Sequence, residues 1–309
     1  MRLPATTTEQ IFLSARATSL LASAPLPILT SCKLWGMKEK QPILAIHGWM
    51  DNAASFDLLA PLLENSSIFA IDLPGHGLSS WIPHGIHYNE DINAIAIRKV
   101  VDYFGWKKVK LMGHSMGSVI CNYYAQLFSN EVEFLIGLDA LSFIACNIEG
   151  QVKQRSVAIT DYLKLQQKNI KAPPHYSKND AMERWMKANS YSQLDFATTG
   201  ILMTRGAKKE ADGKYSYTRD HRLNIRFVPF YTLETIREIN KVINCPYLIL
   251  KSKQSPLQAE TYWTNVAKSL IKSSNDFCMK FLEGCHHMHL TKPKMVADEI
   301  NPFLTKYDK

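Results

Sequence analysis

The chain has 309 residues, of which 46% are hydrophobic, 21% charged and 10% aromatic, so it can bury a sizeable core and is not of disordered composition. A formal net charge of +8 comes from small scattered groups such as Lys107, Lys108 and Lys110. Without a long basic tract or interleaved aromatics, it marks solvated faces rather than a nucleic-acid partner. No apolar run approaches the ~18 residues of a membrane span, and six dispersed cysteines without a C-x-x-C pair read as reduced thiols of an intracellular protein.

At the N-terminus, Arg2 and Arg16 stand among Ser, Thr and Ala with a single acid, Glu9. That composition suggests a mitochondrial transit peptide, but no Arg-bearing amphipathic face repeats, so a cytoplasmic protein with an N-terminal extension or edge hairpin is expected. From residue 42, short apolar runs alternate with helix-length segments. Strands are expected at 42–48, 67–77, 109–115, 134–139, 247–251 and 278–283, with helices at 52–64, 88–104, 116–129, 257–272 and 293–306. Strands alternating with helices predict a mostly parallel, doubly wound α/β sheet. The alternation fails across 142–229, which is polar, Lys-rich and too long for a loop. The expected organisation is therefore a core of 1–141 and 230–309 interrupted by a helical cap at 142–229, with 230–244 as the helix returning to the sheet.

Within "LMGHSMGSVI" (111–120), Gly113-x-Ser115-x-Gly117 follows a strand and opens a helix. This spacing makes a sharp turn: the glycines let the backbones cross, and Ser115 Oγ stands exposed at the carboxyl edge of the sheet as a nucleophile. The helix N-terminus favours negative charge developing there. Upstream, "IHGWMDNAASF" (46–56) ends a strand in His-Gly, so the backbone N–H groups of Trp49 and Met116 are the expected oxyanion donors. His47 and His114 are explained by their positions in turns, and Asp72 by its Pro-Gly-x-Gly loop. Trp49, Phe56, Trp81 and Phe143, from loops near the same edge, are candidates to line an apolar pocket or to be plain core.

Taken together, His47-Gly48-Trp49, Asp72-Leu73-Pro74-Gly75-His76-Gly77 and the 113–117 turn resemble the α/β-hydrolase superfamily. "HGWMDNAASFDLLAPLL", "AIDLPGHGLS", "RDHRL" and "GCHHMHLTKP" are similar to its serine hydrolase-like (kraken-type) group, over about residues 42–305. The resemblance implies the α/β-hydrolase fold with an inserted cap and a serine-esterase type of activity, without defining the substrate. It also implies a base in the loop after the last strand, where Gly284-x-His286 fits the usual pattern. His286 is thus expected to take the proton of Ser115. The acid departs from the commonest pattern, since "SKQSPLQAE" after the 245–251 strand holds no acid before Glu260. Some members place it at the end of the preceding strand, where Asp139 stands, and that residue is the expected third member. It could instead begin a turn or cap a helix.

The run His286, His287, His289 lies on a loop without metal-ligand periodicity, so no metal is expected of it; His287 and His289 are expected to pack or to lead into a helix capped by Thr291, with Pro293 in its first turn. Arg219, Asp220 and Arg222 are read as an ion-pair brace between cap and core rather than a substrate clamp. The expected function is a cofactor-free serine hydrolase that cleaves an ester or thioester of an apolar acyl group through an acyl-enzyme. The alternative is a ligand-binding pseudo-hydrolase that turns over weakly.

Overall fold

The computed structural model describes residues 12–13, 30–36, 40–145, 147–167, 173–188, 192–227, 229–257 and 260–309. Most of the N-terminal stretch read for targeting, and Cys146, lie outside these residues. The other five cysteines are free thiols.

Among the described residues ten strands are assigned: β1 (Phe12–Leu13), β2 (Thr30–Trp35), β3 (Ile43–Ile46), β4 (Ile68–Ile71), β5 (Val109–His114), β6 (Val132–Leu138), β7 (Ala207–Lys209), β8 (Tyr215–Tyr217), β9 (Tyr247–Ser252) and β10 (Phe277–Leu282). Eight form one sheet in the order β1-β2-β4-β3-β5-β6-β9-β10. The pairs from β4 through β10 are parallel, while β1 and β2 run antiparallel at one edge. The parallel strands need covering on both faces, which explains their continuous apolar runs. In β3, Leu44 and Ile46 enter the first core cluster, and Ile43 and Ala45 the second.

The first face is covered by α1 (Glu90–Phe104), α2 (Met116–Leu127), α6 (Leu233–Asn240) and α7 (Glu260–Ser273), through residues such as Ile97, Ile120, Ile236 and Trp263. The second is covered by α9 (Pro293–Tyr307), through Val296, Ile300 and Phe303, and by residues of two 3₁₀ turns, Ala53–Phe56 and Ala60–Leu62. Those turns replace the helix expected at 52–64. Pro61 lacks an N–H and disfavours the α conformation at Ala60, so the segment breaks into two short turns.

Between β6 and β9 stand α3 (Ile148–Gln167), α4 (Lys178–Ala188), α5 (Phe196–Gly206) and the hairpin β7–β8, which the helical pattern did not announce. Trp185 anchors this segment's own cluster, which includes Leu290 of the C-terminal short helix α8 (Met288–Thr291) and so joins the insertion to the core. Fully burying one such large side chain is worth ~1.5–3 kcal/mol. α5 is also tied to the sheet by an ion pair, Arg205 Nη2 to Asp72 Oδ2 at 2.6 Å. Asp72 accepts in addition from the N–H groups of Ala53 and Leu78, each at 2.8 Å, so it is a loop anchor with a partner from the insertion.

Candidate active site

The turn between β5 and α2 holds Ser115 at φ 52° and ψ −120°. A left-handed conformation costs a non-glycine residue of the order of 1–3 kcal/mol and persists only where its surroundings fix it. Here the Ser115 N–H donates to the Leu138 carbonyl at 2.8 Å, and the Ser115 carbonyl accepts from Ser118 at 2.9 Å and Val119 at 3.1 Å. The flanking glycines are needed for space. A Cβ on Gly113 would lie 2.4 Å from the carbonyl carbon of Gly117, and one on Gly117 would lie 2.0 Å from the Ile46 carbonyl oxygen.

Ser115 Oγ lies 2.8 Å from His286 Nε2, and His286 Nδ1 lies 2.6 Å from Asp139 Oδ2. A carboxylate can only accept, so Nδ1 carries the proton and Nε2 offers its lone pair to the serine hydroxyl. Asp139 ends β6 at φ 55°, its N–H donating to the Leu250 carbonyl at 2.8 Å. Its second oxygen, Oδ1, accepts from the Ser252 N–H at 2.8 Å and from Lys251 Nζ at 2.9 Å. Burial pushes the Asp139 carboxyl up, but the hydrogen bond and charge of His286, with the Lys251 ammonium, outweigh it and hold the group below its ordinary value. Burial lowers His286 below its ordinary value against the upward pull of Asp139. Lys251 and Ser252 were not singled out in the sequence. They occupy the strand end where the commonest pattern has its acid, and a buried lysine there is the one signal that pointed to a carboxylate partner.

Ser115 and His286 open onto a cavity of ≈ 280 Å³ whose lining includes Trp49, Met116 and Phe143. The Trp49 ring is covered by Arg226, 3.7 Å from its centroid, and its indole N–H donates to the Leu223 carbonyl at 3.0 Å. Phe56 and Trp81 do not line this cavity. Phe56 points from its 3₁₀ turn into the second core, against the ring of His289. Trp81 is 44% exposed, and its N–H donates to the Thr218 carbonyl, a strut rather than a wall.

Four further histidines near the site each have a ring nitrogen within hydrogen-bonding distance of a partner. His47 Nδ1 donates to the Gly48 carbonyl at 2.7 Å and its Nε2 accepts from the Leu73 N–H at 3.0 Å, which fixes it as a turn residue. His114 Nε2 lies 3.1 Å from the His286 carbonyl oxygen, and burial pushes its pKa down to about 3 despite Asp51 nearby. His287 Nε2 lies 2.8 Å from Asp51 Oδ2, and His289 Nε2 lies 2.7 Å from Ser55 Oγ. Thr291 does not cap the last helix: its hydroxyl donates to the His287 carbonyl at 3.1 Å, and Lys292 precedes Pro293 as the N-cap. Of the three charged residues at 219–222, Asp220 and Arg222 brace the insertion to the 82–88 loop, whereas Arg219 stacks on the rings of Tyr217 and Trp185.

A family model described as alpha/beta hydrolase fold matches residues 41–293. The chain belongs to the α/β-hydrolase family. Within it, the chain is 32% identical over 276 residues to a serine hydrolase-like protein of Danio rerio, covering 88% of this chain and 84% of that one. It is 30% identical to serine hydrolase-like protein 2 of Homo sapiens, covering 89% and 90%. Among solved structures, the hypothetical protein PA1622 of Pseudomonas aeruginosa superposes with a TM-score of 0.82 at 25% identity, covering 96% of this chain and 99% of that one. These similarities support a hydrolase of the serine hydrolase-like group. Among the described residues, no helix of this α/β hydrolase is long and apolar enough to cross a membrane.

Proposed function

We propose that the protein hydrolyses a carboxylic ester or thioester of an apolar acyl group, with Ser115 as nucleophile, His286 as base and Asp139 as the acid that orients it. The observation that carries this reading is the continuous hydrogen-bonded chain from Ser115 Oγ through His286 to Asp139, with steps of 2.8 and 2.6 Å, at the floor of a cavity. Ser115 attacks the acyl carbon while His286 Nε2 takes its proton. The tetrahedral oxyanion sits between the backbone N–H groups of Trp49 and Met116. His286 returns the proton to the leaving alcohol or thiol, and a water activated by the same nitrogen then releases the acid. Val119, Phe143, Ile144, Leu223 and Phe227 line the cavity and suit an alkyl or aryl acyl part. The 142–229 segment, as a cap, contributes Leu223 and Phe227 to that lining. The best support for the pseudo-hydrolase alternative was the missing acid after β9, and a carboxylate 2.6 Å from His286 weakens that support.

The test is labelling by a fluorophosphonate together with hydrolysis of an aryl ester. Wild type is expected to label and to show a burst of aryl alcohol; Ser115→Ala is expected to do neither. Equal labelling of the two would remove Ser115 from the role.

A further inference from the structure

Three side chains from distant parts of the sequence converge beside the Ser115–His286 pair. Asp51 comes from the loop after β3, His114 from the end of β5 and His287 from the loop after β10. Asp51 Oδ2 lies 2.8 Å from His287 Nε2 and 3.6 Å from His114 Nδ1, and one ligand atom from each residue lies within 4.8 Å of the other two. All three side chains are buried, yet each contributes to the lining of the cavity that holds Ser115 and His286.

The hydrogen bonding leaves this trio short of a positive centre. The His286 carbonyl can only accept, so the proton of the neutral His114 ring sits on Nε2. Nδ1 therefore presents a bare lone pair to a carboxylate oxygen and has no hydrogen-bond donor. Two buried acceptors facing each other at 3.6 Å are a liability that a cation resolves. The bond from His114 Nε2–H to a backbone carbonyl is the arrangement that fixes the tautomer of a metal-ligating histidine. Space is present as well. A Cβ on Gly48 would come within 2.8 Å of His114 Nδ1 and 3.1 Å of Asp51 Oδ2, and the glycine leaves that volume open.

We propose that Asp51 Oδ2, His114 Nδ1 and His287 Nε2 bind a divalent transition-metal ion of the Zn²⁺ class, with its fourth position facing the cavity. Two imidazoles and a carboxylate suit Zn²⁺, whose bonds of ~2.0–2.2 Å set tetrahedral donors about 3.3 Å apart, between the two carboxylate-to-imidazole spacings here, while the two imidazole nitrogens, within 4.8 Å of each other, would draw together on binding. Binding requires the His287 Nε2 proton to leave. It moves to Nδ1, which has no partner among the described residues, so the ring changes tautomer with no net proton release. No metal is expected of the run 286, 287 and 289 by itself, and this site uses only His287 of that run. The rings of His114 and His286 lie 4.7 Å apart between centroids, so the site borders the proposed base, but its ability to bind an ion does not depend on the proposed serine chemistry.

The experiment uses Ser115→Ala protein titrated with Co²⁺, alongside Asp51→Asn, His287→Gln and His175→Gln in the same background, each checked for a wild-type thermal transition. His175 pairs with Asp212 on the surface and controls for adventitious binding there. The expected result is one Co²⁺ per chain with visible four-coordinate bands, displaced by Zn²⁺. Affinity should be unchanged in His175→Gln and weaker by at least about 10–100-fold in both site variants, as loss even of an outer partner produces. No uptake, or uptake unaffected by both site variants, overturns the site. Failure of metal-free wild type to label would overturn the hydrolase reading, while the Co²⁺ titration still decides the site.

Discussion

Asp139 is gripped from three sides: its N–H by the Leu250 carbonyl, one oxygen by Lys251 and Ser252, the other by His286. In the proposed mechanism this orientation sets the tautomer of His286, so Asp139→Asn should reduce kcat by roughly 10³–10⁴-fold, the scale expected when the base loses its orienting carboxylate. The variant should keep a wild-type thermal transition, which checks the fold. The pH profile carries a second signature. His286 works as a base when neutral, and its pKa lies below the ordinary 6.5. The rate constant kcat/KM should therefore rise with pH to a plateau, with its midpoint on the acid side of 6.5. Asp139 pulls that pKa upward, so Asp139→Asn should move the midpoint still further to acid. An alkaline shift would contradict the assigned interaction.

At the scale of elements, β9 has a role that its sequence only half disclosed. Its apolar run announced a buried strand, and the pattern of the superfamily directed attention to a carboxylate beyond it. The strand end instead supplies a donor pair, the Lys251 ammonium and the Ser252 N–H, to the carboxylate at the end of its neighbour β6. The strands and the 113–117 turn were legible because apolar period and glycine spacing are local properties. The Lys251–Asp139 pair spans 112 positions and follows only from strand order. The same holds for Arg205 with Asp72 and for His287 with Asp51 and His114. The break at Pro61 was written in the sequence but was outweighed by the apolar residues around it. Because a hydrogen bond to a charged group contributes about 1.5–3 kcal/mol, Lys251→Met should lower kcat by about 10–100-fold, less than Asp139→Asn, with KM little changed. Loss equal to that of Asp139→Asn in a stable, folded variant would mean that Lys251 acts on the substrate itself.

Across the whole molecule, the insertion meets the core through the Trp185–Leu290 cluster, the Arg205–Asp72 pair and the Asp220–Arg222 brace, and the last of these borders the cavity. Asp220 accepts from the Tyr88 hydroxyl at 2.8 Å, and its own N–H donates to the Gly75 carbonyl at 2.8 Å. The Arg222 guanidinium bonds Asp220 through Nε at 2.9 Å and reaches the carbonyls of Pro83 and Ile86 at 2.8 and 3.2 Å. Tyr88 on one side of this brace, and Leu223, Ile225, Arg226 and Phe227 on the other, are cavity residues. The brace therefore holds the two walls in register while touching none of the proposed reacting groups. A lysine keeps the charge but cannot span Asp220 and two carbonyls with one planar fork. Arg222→Lys should accordingly raise KM for long apolar acyl esters several-fold while leaving kcat for a short acetyl ester within about twofold, since only the long acyl chain needs both walls. Limited proteolysis should find the 82–88 loop cut faster in the variant. A uniform fall in kcat for short and long esters alike would show instead that the brace transmits strain to Ser115 or His286.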